Sequence, residues 1–171
     1  MNTLDAIKKR RSVRSFLKDG IEKEKIRTLV EAATWAPSAS NLQQWNLVIL
    51  QREKNIKRAK SFSPGISGMP RALFIFCIDI EKVKKGGGDE ARVLSYIDIA
   101  IAAQNVCLAA TELGLGSCIV RSFSRKAIRE LFDLKIEPEL IVALGYPAET
   151  PEAPERRRPD EVVVCWDERD E

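Results

Sequence analysis

Apolar residues fall into blocks whose spacing predicts alternating helices and buried strands. Helical spacing predicts a helix over residues 22–35, which Pro37 ends. Unbroken apolar runs predict four buried strands, at residues 45–50, 72–80, 117–120 and 140–144. Shorter helices are expected at residues 4–11, 53–60 and 125–132. Strands and helices mixed in this order indicate an α+β protein, a sheet with helices around it.

The longest apolar stretch, residues 90–113, predicts a central helix that is apolar on nearly all sides. Asp98 and Glu112 within it favour a buried core helix over a membrane span. Such a helix needs cover on most sides, and in a small domain a second subunit is the natural cover. The last apolar run, residues 162–166, follows a polar tail and predicts a strand that joins a sheet, for instance that of a partner chain.

Composition narrows the class of protein. A length of 171 residues fits a single domain over residues 1–171. Lys and Arg number 28 against 25 Asp and Glu, so neither a nucleic-acid nor a membrane partner is expected. The sequence has no histidine, which excludes imidazole-dependent nucleophile pairs, proton shuttles and HExxH zinc sites.

The cysteines indicate a reducing environment. Cys77, Cys107, Cys118 and Cys165 lie far apart in apolar runs, without the paired spacing of a metal site. They are therefore expected to be reduced core thiols, and no metal site is predicted. The first residues lack the apolar segment of a signal peptide, so a cytoplasmic location is expected.

Two arginine-rich segments are candidate anion sites. Arg10-Arg11-Ser12-Val13-Arg14 places three guanidinium groups and a hydroxyl in five residues, a donor set that suits phosphate. The alternative is a solvated basic helix end, because cations are favourable at a helix C-terminus. Residues 156–158 form a second arginine triplet, either a compact anion site or a solvated tail whose charge nearby acids dilute.

Two polar turns are weaker candidates. The segment Pro37-Ser38-Ala39-Ser40-Asn41 offers hydroxyl, amide and backbone N–H donors that suit a planar heteroaromatic ring, or forms only a turn. Residues 114–117 (GLGS) lack the lysine of a phosphate loop and lie where a helix passes into a strand, so a helix C-terminus explains them better.

In combination, these segments resemble the FMN-dependent nitroreductase family. The resemblance rests on the order RRSVRSF, APSASNLQQW, a long alanine-rich helix ending ELGLGSC, and ALGYPAETP followed by RRRP, and it covers residues 6–164. It implies an intertwined α+β homodimer with FMN at the subunit interface. It also implies that a C-terminal extension, about residues 150–171, packs on the partner subunit.

The resemblance assigns FMN contacts position by position. Those to the phosphate, ribityl chain and ring edge fall on Arg10, Arg11, Ser12 and Arg14. The loop that meets the flavin from the other subunit matches Pro37, Ser38, Ser40 and Asn41. The backbone beside flavin N5 matches Ile119, Arg121 and Ser122, and the late basic residues at the phosphate match Arg156 and Arg158. Arg121 replaces a residue that is more often small or acidic, which suggests a preference for anionic acceptors or for the phosphates of NADPH.

The activity that the resemblance implies needs no catalytic side chain, since the flavin carries the redox chemistry. Hydride would pass from NADH or NADPH to N5, and a small organic acceptor such as a nitroaromatic or quinone would then take the electrons in a ping-pong sequence. Arg14 would support the negative charge that develops on the reduced ring. The alternatives are a flavin storage or regulatory protein, a specialised family reaction (dehalogenation, enoyl reduction or flavin destruction), and a small basic nucleic-acid module.

Overall fold

The structure, a computed structural model, describes residues 1–165 and 167. Helices and strands alternate along these residues as the apolar pattern predicted for most of the chain. In chain order they are α1 (Thr3–Lys9), α2 (Lys23–Thr34), β1 (Trp45–Leu50), α3 (Glu53–Lys60), β2 (Ala72–Ile78), α4 (Ile80–Gly86), α5 (Asp89–Glu112), β3 (Gly116–Val120), α6 (Arg125–Leu131), β4 (Glu137–Gly145) and α7 (Pro159–Val162).

The four strands form one antiparallel sheet in the order β1-β2-β4-β3. Every residue of β2 is buried, because this strand lies inside the sheet and helices cover both of its faces. On one face, α2 and α5 pack against a layer that includes Phe74, Phe76 and Val142. On the other face, α3 and α6 pack against Ile75 and Ile141. The α+β fold expected from the sequence is thereby confirmed.

Helix α5 is the central helix of the domain, and it is not covered all round. One stripe, from Ala91 to Ala110, is buried against the sheet and α2. On the opposite stripe, Val93 and Ile97 remain 58% and 51% exposed. Length and composition alone would allow this helix to cross a membrane, but core helices pass the same test. Its packing on the sheet identifies it as a core helix with one open apolar face.

The strand expected at residues 162–166 is wrong for the part of it that the structure describes. Pro159–Val162 form the short helix α7, which starts with a proline at its first position, and the Glu161 carboxylate accepts the Arg158 N–H at 3.1 Å. Residues 163–165 are exposed coil. A strand needs a neighbouring strand, and the sheet of the same chain offers none to this segment. Trp166 lies outside the described residues.

Two smaller corrections follow from local chemistry. Residues 80–86 form α4, where the end of a strand and a turn were expected, because the Asp79 carboxylate caps the helix by accepting the Lys82 N–H at 3.2 Å.

Cys165 is exposed, whereas the other three cysteines are buried as expected. Burial raises the pKa of the Cys77 thiol to about 12, which keeps it protonated and unreactive.

Candidate functional site

An open cavity of about 270 Å³ joins the first arginine segment to the late tail. Its walls come from the two ends of the chain and carry four arginines and a hydroxyl. The lining residues are Arg10, Arg11, Ser12, Arg14, Pro151, Glu152, Pro154 and Arg156. This donor set suits a phosphate group, because several guanidinium groups converge on one small space.

The first arginine segment is fixed because it runs alongside the edge strand β3. Ser12 forms a parallel bridge with Ser117, and the Val13 N–H donates to the Ser117 carbonyl at 2.9 Å. Gly116 permits this approach, since a Cβ there would lie 2.8 Å from the Val13 Cβ. Gly114 has a positive φ of 74° at the end of α5, as a helix C-terminus requires. The GLGS turn therefore serves packing and helix termination, as its position predicted.

Glu149 orients the backbone on the other side of this segment, a role that sequence reasoning missed. Its Oε1 accepts the N–H groups of Arg14 and Ser15 at 2.9 and 3.1 Å. These bonds hold the segment against the start of the late tail. Glu149 belongs to the segment ALGYPAETP, which contributed to the resemblance, but no role was assigned to this residue.

The guanidinium groups of Arg11 and Arg158 make contacts within the chain. The Arg11 guanidinium folds back on α1 and donates to the carbonyls of Lys8 and Arg10 at 2.6 and 2.9 Å. Arg11 therefore caps the helix, as the alternative explanation held, while it also lines the cavity. Arg158 pairs with Asp160 at 3.1 Å and is not among the residues that line this cavity. Its contact with a phosphate remains a prediction.

The polar loop at residues 37–41 lies elsewhere, against the middle of α5. Ser40 and Asn41 have positive φ angles of 49° and 54°, backbone conformations that non-glycine residues rarely adopt and that cluster at functional sites. The buried carboxylate of Asp98 secures the loop by accepting the Ala39 N–H at 3.2 Å. Within one chain this loop does not line the arginine cavity.

The segment after β3 carries the remaining predicted residues. Ile119 is 42% exposed, and Arg121 and Ser122 follow at the surface. The turn and loop hydrogen bonds among the described residues include none donated by the amides of Arg121 or Ser122. These two N–H groups are therefore available to a ligand.

A glycine-containing loop, residues 63–70, links the segment after β3 to the arginine segment. At one end the Gly65 N–H donates to the Ser122 carbonyl at 3.2 Å. At the other end Gly68, with a φ of 57°, packs so closely on Arg14 that a Cβ would lie 2.4 Å from the Arg14 carbonyl oxygen. The loop therefore connects two predicted parts of the site through contacts at both of its ends.

Comparison with known proteins assigns the chain to a family. The sequence profile of the nitroreductase family matches residues 7–64 and 64–146. The chain belongs to the nitroreductase family. A Thermus thermophilus protein named NADH dehydrogenase is 30% identical over 197 residues, covering 92% of each chain. A Bacillus subtilis protein named FMN reductase (NADPH) is 29% identical over 168 residues, covering 86% of this chain and 66% of its own.

The fold agrees with that family. The crystal structure of a nitroreductase family protein from Clostridium difficile 630 has a TM-score of 0.83 and 32% identity, covering 96% of this chain and 98% of its own. The resemblance stated from the sequence motifs is therefore confirmed. In this nitroreductase family member, one chain gathers Arg10, Arg11, Ser12, Arg14 and Arg156 and leaves the 37–41 loop on a separate surface.

A buried carboxylate beside the segment after β3 was not predicted at all. Glu139 is 1% exposed and lies where the register between β2 and β4 shifts. Its Oε2 accepts a hydrogen bond from Arg121 Nη1 at 3.1 Å and forms an ion pair with Arg125 Nε, also at 3.1 Å, and its Oε1 lies 3.7 Å from Arg92 Nη2. Burial raises the pKa of the Glu139 carboxyl, and the guanidiniums of Arg125, Arg121 and Arg92 oppose that rise. A bulge of this kind re-aims a side chain, which explains why strand periodicity gave no signal.

Proposed function

We propose that this nitroreductase is an FMN-dependent enzyme that transfers hydride from NAD(P)H, through the flavin, to a small organic acceptor such as a nitroaromatic or quinone. Membership of the family makes the chain an NAD(P)H-dependent oxidoreductase. FMN, the acceptor and the ping-pong order of the two half-reactions are the parts proposed. The observation that carries the proposal is the cavity in which Arg10, Ser12, Arg14 and Arg156 converge.

The residues present fit a flavin mononucleotide. The arginine cavity supplies charge-assisted donors for a phosphate, which distinguishes a mononucleotide from a flavin without one. From Ser117, which pairs with Ser12, to Arg121 the backbone extends about 13 Å at the rise of a strand, so Ser12 and the free amides lie at opposite ends of β3. Arg14 lies further along the same direction, because the arginine segment runs parallel to β3. A ligand with a phosphate at one end and a heteroaromatic ring at the other suits this spacing.

The function requires a second copy of the chain. Pro37, Ser38, Ser40 and Asn41 are held in a strained loop away from the arginine cavity, so they serve a flavin only if it is bound by another subunit. The open apolar stripe with Val93 and Ile97 lies on α5, and the far end of the same helix contacts α1, whose Leu4 is 66% exposed. A homodimer that buries this surface would bring the loop of one subunit to the cavity of the other.

The C-terminal extension, about residues 150–171, is proposed to pack on the partner. Val162 and Val164 are 51% and 99% exposed in the single chain, an unfavourable state for apolar side chains. The outer edge of β1 is unpaired in the described chain, and an apolar groove of about 460 Å³ that includes Ile49 runs beside it. That groove on a partner subunit would bury the exposed valines of the extension.

When bound, the flavin supplies the redox chemistry by accepting hydride at N5 and passing electrons to the acceptor. The chain holds and tunes it. Arg14, anchored through its backbone to Glu149, supplies positive charge where reduction leaves negative charge. The amides of Arg121 and Ser122 offer donors beside N5, and no side chain is needed as an acid or base. Three buried free cysteines accord with the cytoplasmic location that we propose.

The absorbance spectrum of the purified protein tests this proposal. A yellow protein whose flavin band bleaches on anaerobic addition of NADH supports it, and a colourless protein that binds no added FMN overturns it. Arg14→Ala should lower FMN affinity and slow flavin reduction, whereas Arg52→Ala, an exposed arginine at the start of α3, should change neither. Turnover with a nitroaromatic or quinone separates the enzyme from a flavin storage or regulatory protein.

The dimer has its own test. Ile97→Glu should convert the dimer to a monomer in sedimentation and lower FMN affinity together, because each flavin would lose the loop of the other subunit. Phe62→Glu is a matched control, since Phe62 is 45% exposed after α3, on the opposite side of the sheet. A monomeric Ile97→Glu protein that binds FMN as the parent does would contradict a site shared between subunits.

A further inference from the structure

Glu139 holds two half-exposed arginines side by side. Its Oε2 accepts a hydrogen bond from Arg121 Nη1 and forms an ion pair with Arg125 Nε at 3.1 Å, and Arg121 Nη1 also donates to the Glu139 carbonyl at 2.9 Å. Because the carboxylate is 1% exposed and belongs to β4, it fixes the end of β3 and the start of α6 to the rigid sheet. The two guanidinium groups are therefore oriented before any ligand arrives.

Both arginines keep donors for a ligand. The side chains of Arg121 and Arg125 are 50% and 44% exposed. Within the described chain Arg121 donates hydrogen bonds only through Nη1, and Arg125 contacts Glu139 only as an ion pair through Nε, so the other guanidinium nitrogens donate to no protein acceptor. Free, outward-facing donors on two fixed guanidiniums are the geometry that an oxyanion prefers.

The surroundings carry an excess of positive charge. Glu139 and Glu137 offset two of the three charges of Arg92, Arg121 and Arg125. A cavity of about 240 Å³ adjoins Arg125, and its walls add two further cations. It is lined by Arg125, Lys126, Arg129, Glu137 and Pro138. A site with this balance attracts an anion and is large enough for a phosphate group.

We propose that Arg121 and Arg125 form an oxyanion site for the second substrate, and that Glu139 is the positioning residue that builds it. The oxyanion is a phosphate of the nicotinamide dinucleotide or a carboxylate of the acceptor. This inference rests on the proposed function, since Arg121 belongs to the segment proposed to border the flavin ring. Both substrates would approach the same ring, and either would bring its charge near the arginine pair.

Inorganic pyrophosphate is the first probe, titrated calorimetrically into protein saturated with FMN so that the flavin's phosphate site is occupied. Arg125→Gln should weaken pyrophosphate binding about fivefold, the usual loss for one exposed charged hydrogen-bond partner. Arg129→Gln, which removes a cation from the same cavity without touching Glu139, should weaken it less than twofold. Equal effects in the two variants would mean a diffuse basic patch and overturn the proposal.

Glu139→Gln tests whether Glu139 positions the two arginines, because the two possible roles predict opposite changes in pyrophosphate affinity. The substitution makes the site more positive, so a purely electrostatic role predicts tighter pyrophosphate binding. A positioning role predicts weaker binding, since neither arginine keeps its fixed orientation. Tighter binding overturns the assignment to Glu139. If this variant does not fold, Arg125→Gln still decides whether the site exists.

Steady-state kinetics identify the source of the oxyanion. A raised KM of Arg125→Gln for NADH or NADPH, with kcat little changed, points to the dinucleotide. A raised KM for a nitrobenzoate but not for a neutral nitrobenzyl alcohol points to an acceptor carboxylate, and no change in any KM overturns the substrate role. If the protein holds no flavin, the proposed function fails, whereas pyrophosphate binding by Arg125→Gln and Arg129→Gln apoprotein still decides the site.

Discussion

Replacing Gly68 by alanine tests whether the 63–70 loop sets the position of Arg14. Gly68 has a φ of 57°, and an alanine Cβ there would lie 2.4 Å from the Arg14 carbonyl oxygen. Real Cβ contacts are essentially never shorter than 3.0 Å, so the two backbones must separate. The displaced atom belongs to the residue proposed to support the flavin ring, and Glu149 holds its amide on the other side.

Two costs add in Gly68→Ala. A left-handed φ costs an alanine about 1–2 kcal/mol, partly offset by about 0.4–1 kcal/mol from the stiffer unfolded chain. Forcing two packed backbones apart costs about 1–3 kcal/mol more. We therefore expect the free energy of unfolding to fall by roughly 2–4 kcal/mol, with FMN affinity about tenfold lower because Arg14 moves.

Urea denaturation and fluorescence titration with FMN measure the two effects, and two glycines serve as controls. Gly114→Ala has a similar φ of 74° but nothing within 4 Å of the new Cβ, so it isolates the backbone strain. Gly20→Ala meets nothing within 4 Å and is not strained, so it should be neutral. If Gly68→Ala matches Gly114→Ala in both unfolding free energy and FMN affinity, the loop does not position Arg14.

Three further predictions concern single groups. Asp98→Ala leaves the Ala39 N–H without its acceptor, so it should lower the free energy of unfolding by about 1–2 kcal/mol and also lower FMN affinity. Asp98→Asn keeps an acceptor and should retain most of the stability and most of the FMN affinity, as measured by urea denaturation and FMN titration. Burial raises the pKa of the Cys77 thiol to about 12, so Cys77 should not react with iodoacetamide at about pH 8 until the protein unfolds. Alkylation of Cys77 in the folded protein, detected by mass spectrometry, would contradict its burial. The Tyr146 hydroxyl, and then Lys25, lower the pKa of Glu22, so this contact stabilises the fold above the ordinary pKa of a glutamate and is lost as the pH falls through the lowered value. Tyr146→Phe should therefore lose less stability than the parent between about pH 6 and pH 3, and an identical pH profile in urea denaturation would refute that role.

Most of the fold was predictable because its signals are local. Helical spacing and unbroken apolar runs located α2, α5 and all four strands within a few residues. The sequence predictions failed where the structure of a segment depends on residues outside that segment. The strand predicted at 162–166 needs a neighbour, and α4 depends on the single side chain of Asp79.

The candidate site was predictable only in part. Sequence motifs indicate the residues proposed to contact a ligand, but not the residues that hold those ligand-contacting groups in position. Arg10, Ser12, Arg14 and Arg156 were identified, and the structure brings them to one cavity. The carboxylates of Glu149, Asp98 and Glu139 were not identified, because each acts across a large sequence separation. An isolated glutamate or aspartate in a sequence carries no sign of such a partner.

The arginine cavity has a consequence for the unliganded protein. Because residues 10–14 and 151–156 face each other across it, whatever anion fills the space fastens one end of the chain to the other. Ligand at a hundred times its dissociation constant would add about 2.7 kcal/mol to the stability of the fastened state. The first part of the tail beyond residue 150 would then be held against residues 10–14 only while the anion is bound. If the anion is the proposed FMN, protein that lacks FMN would be cleaved by proteases first in this tail.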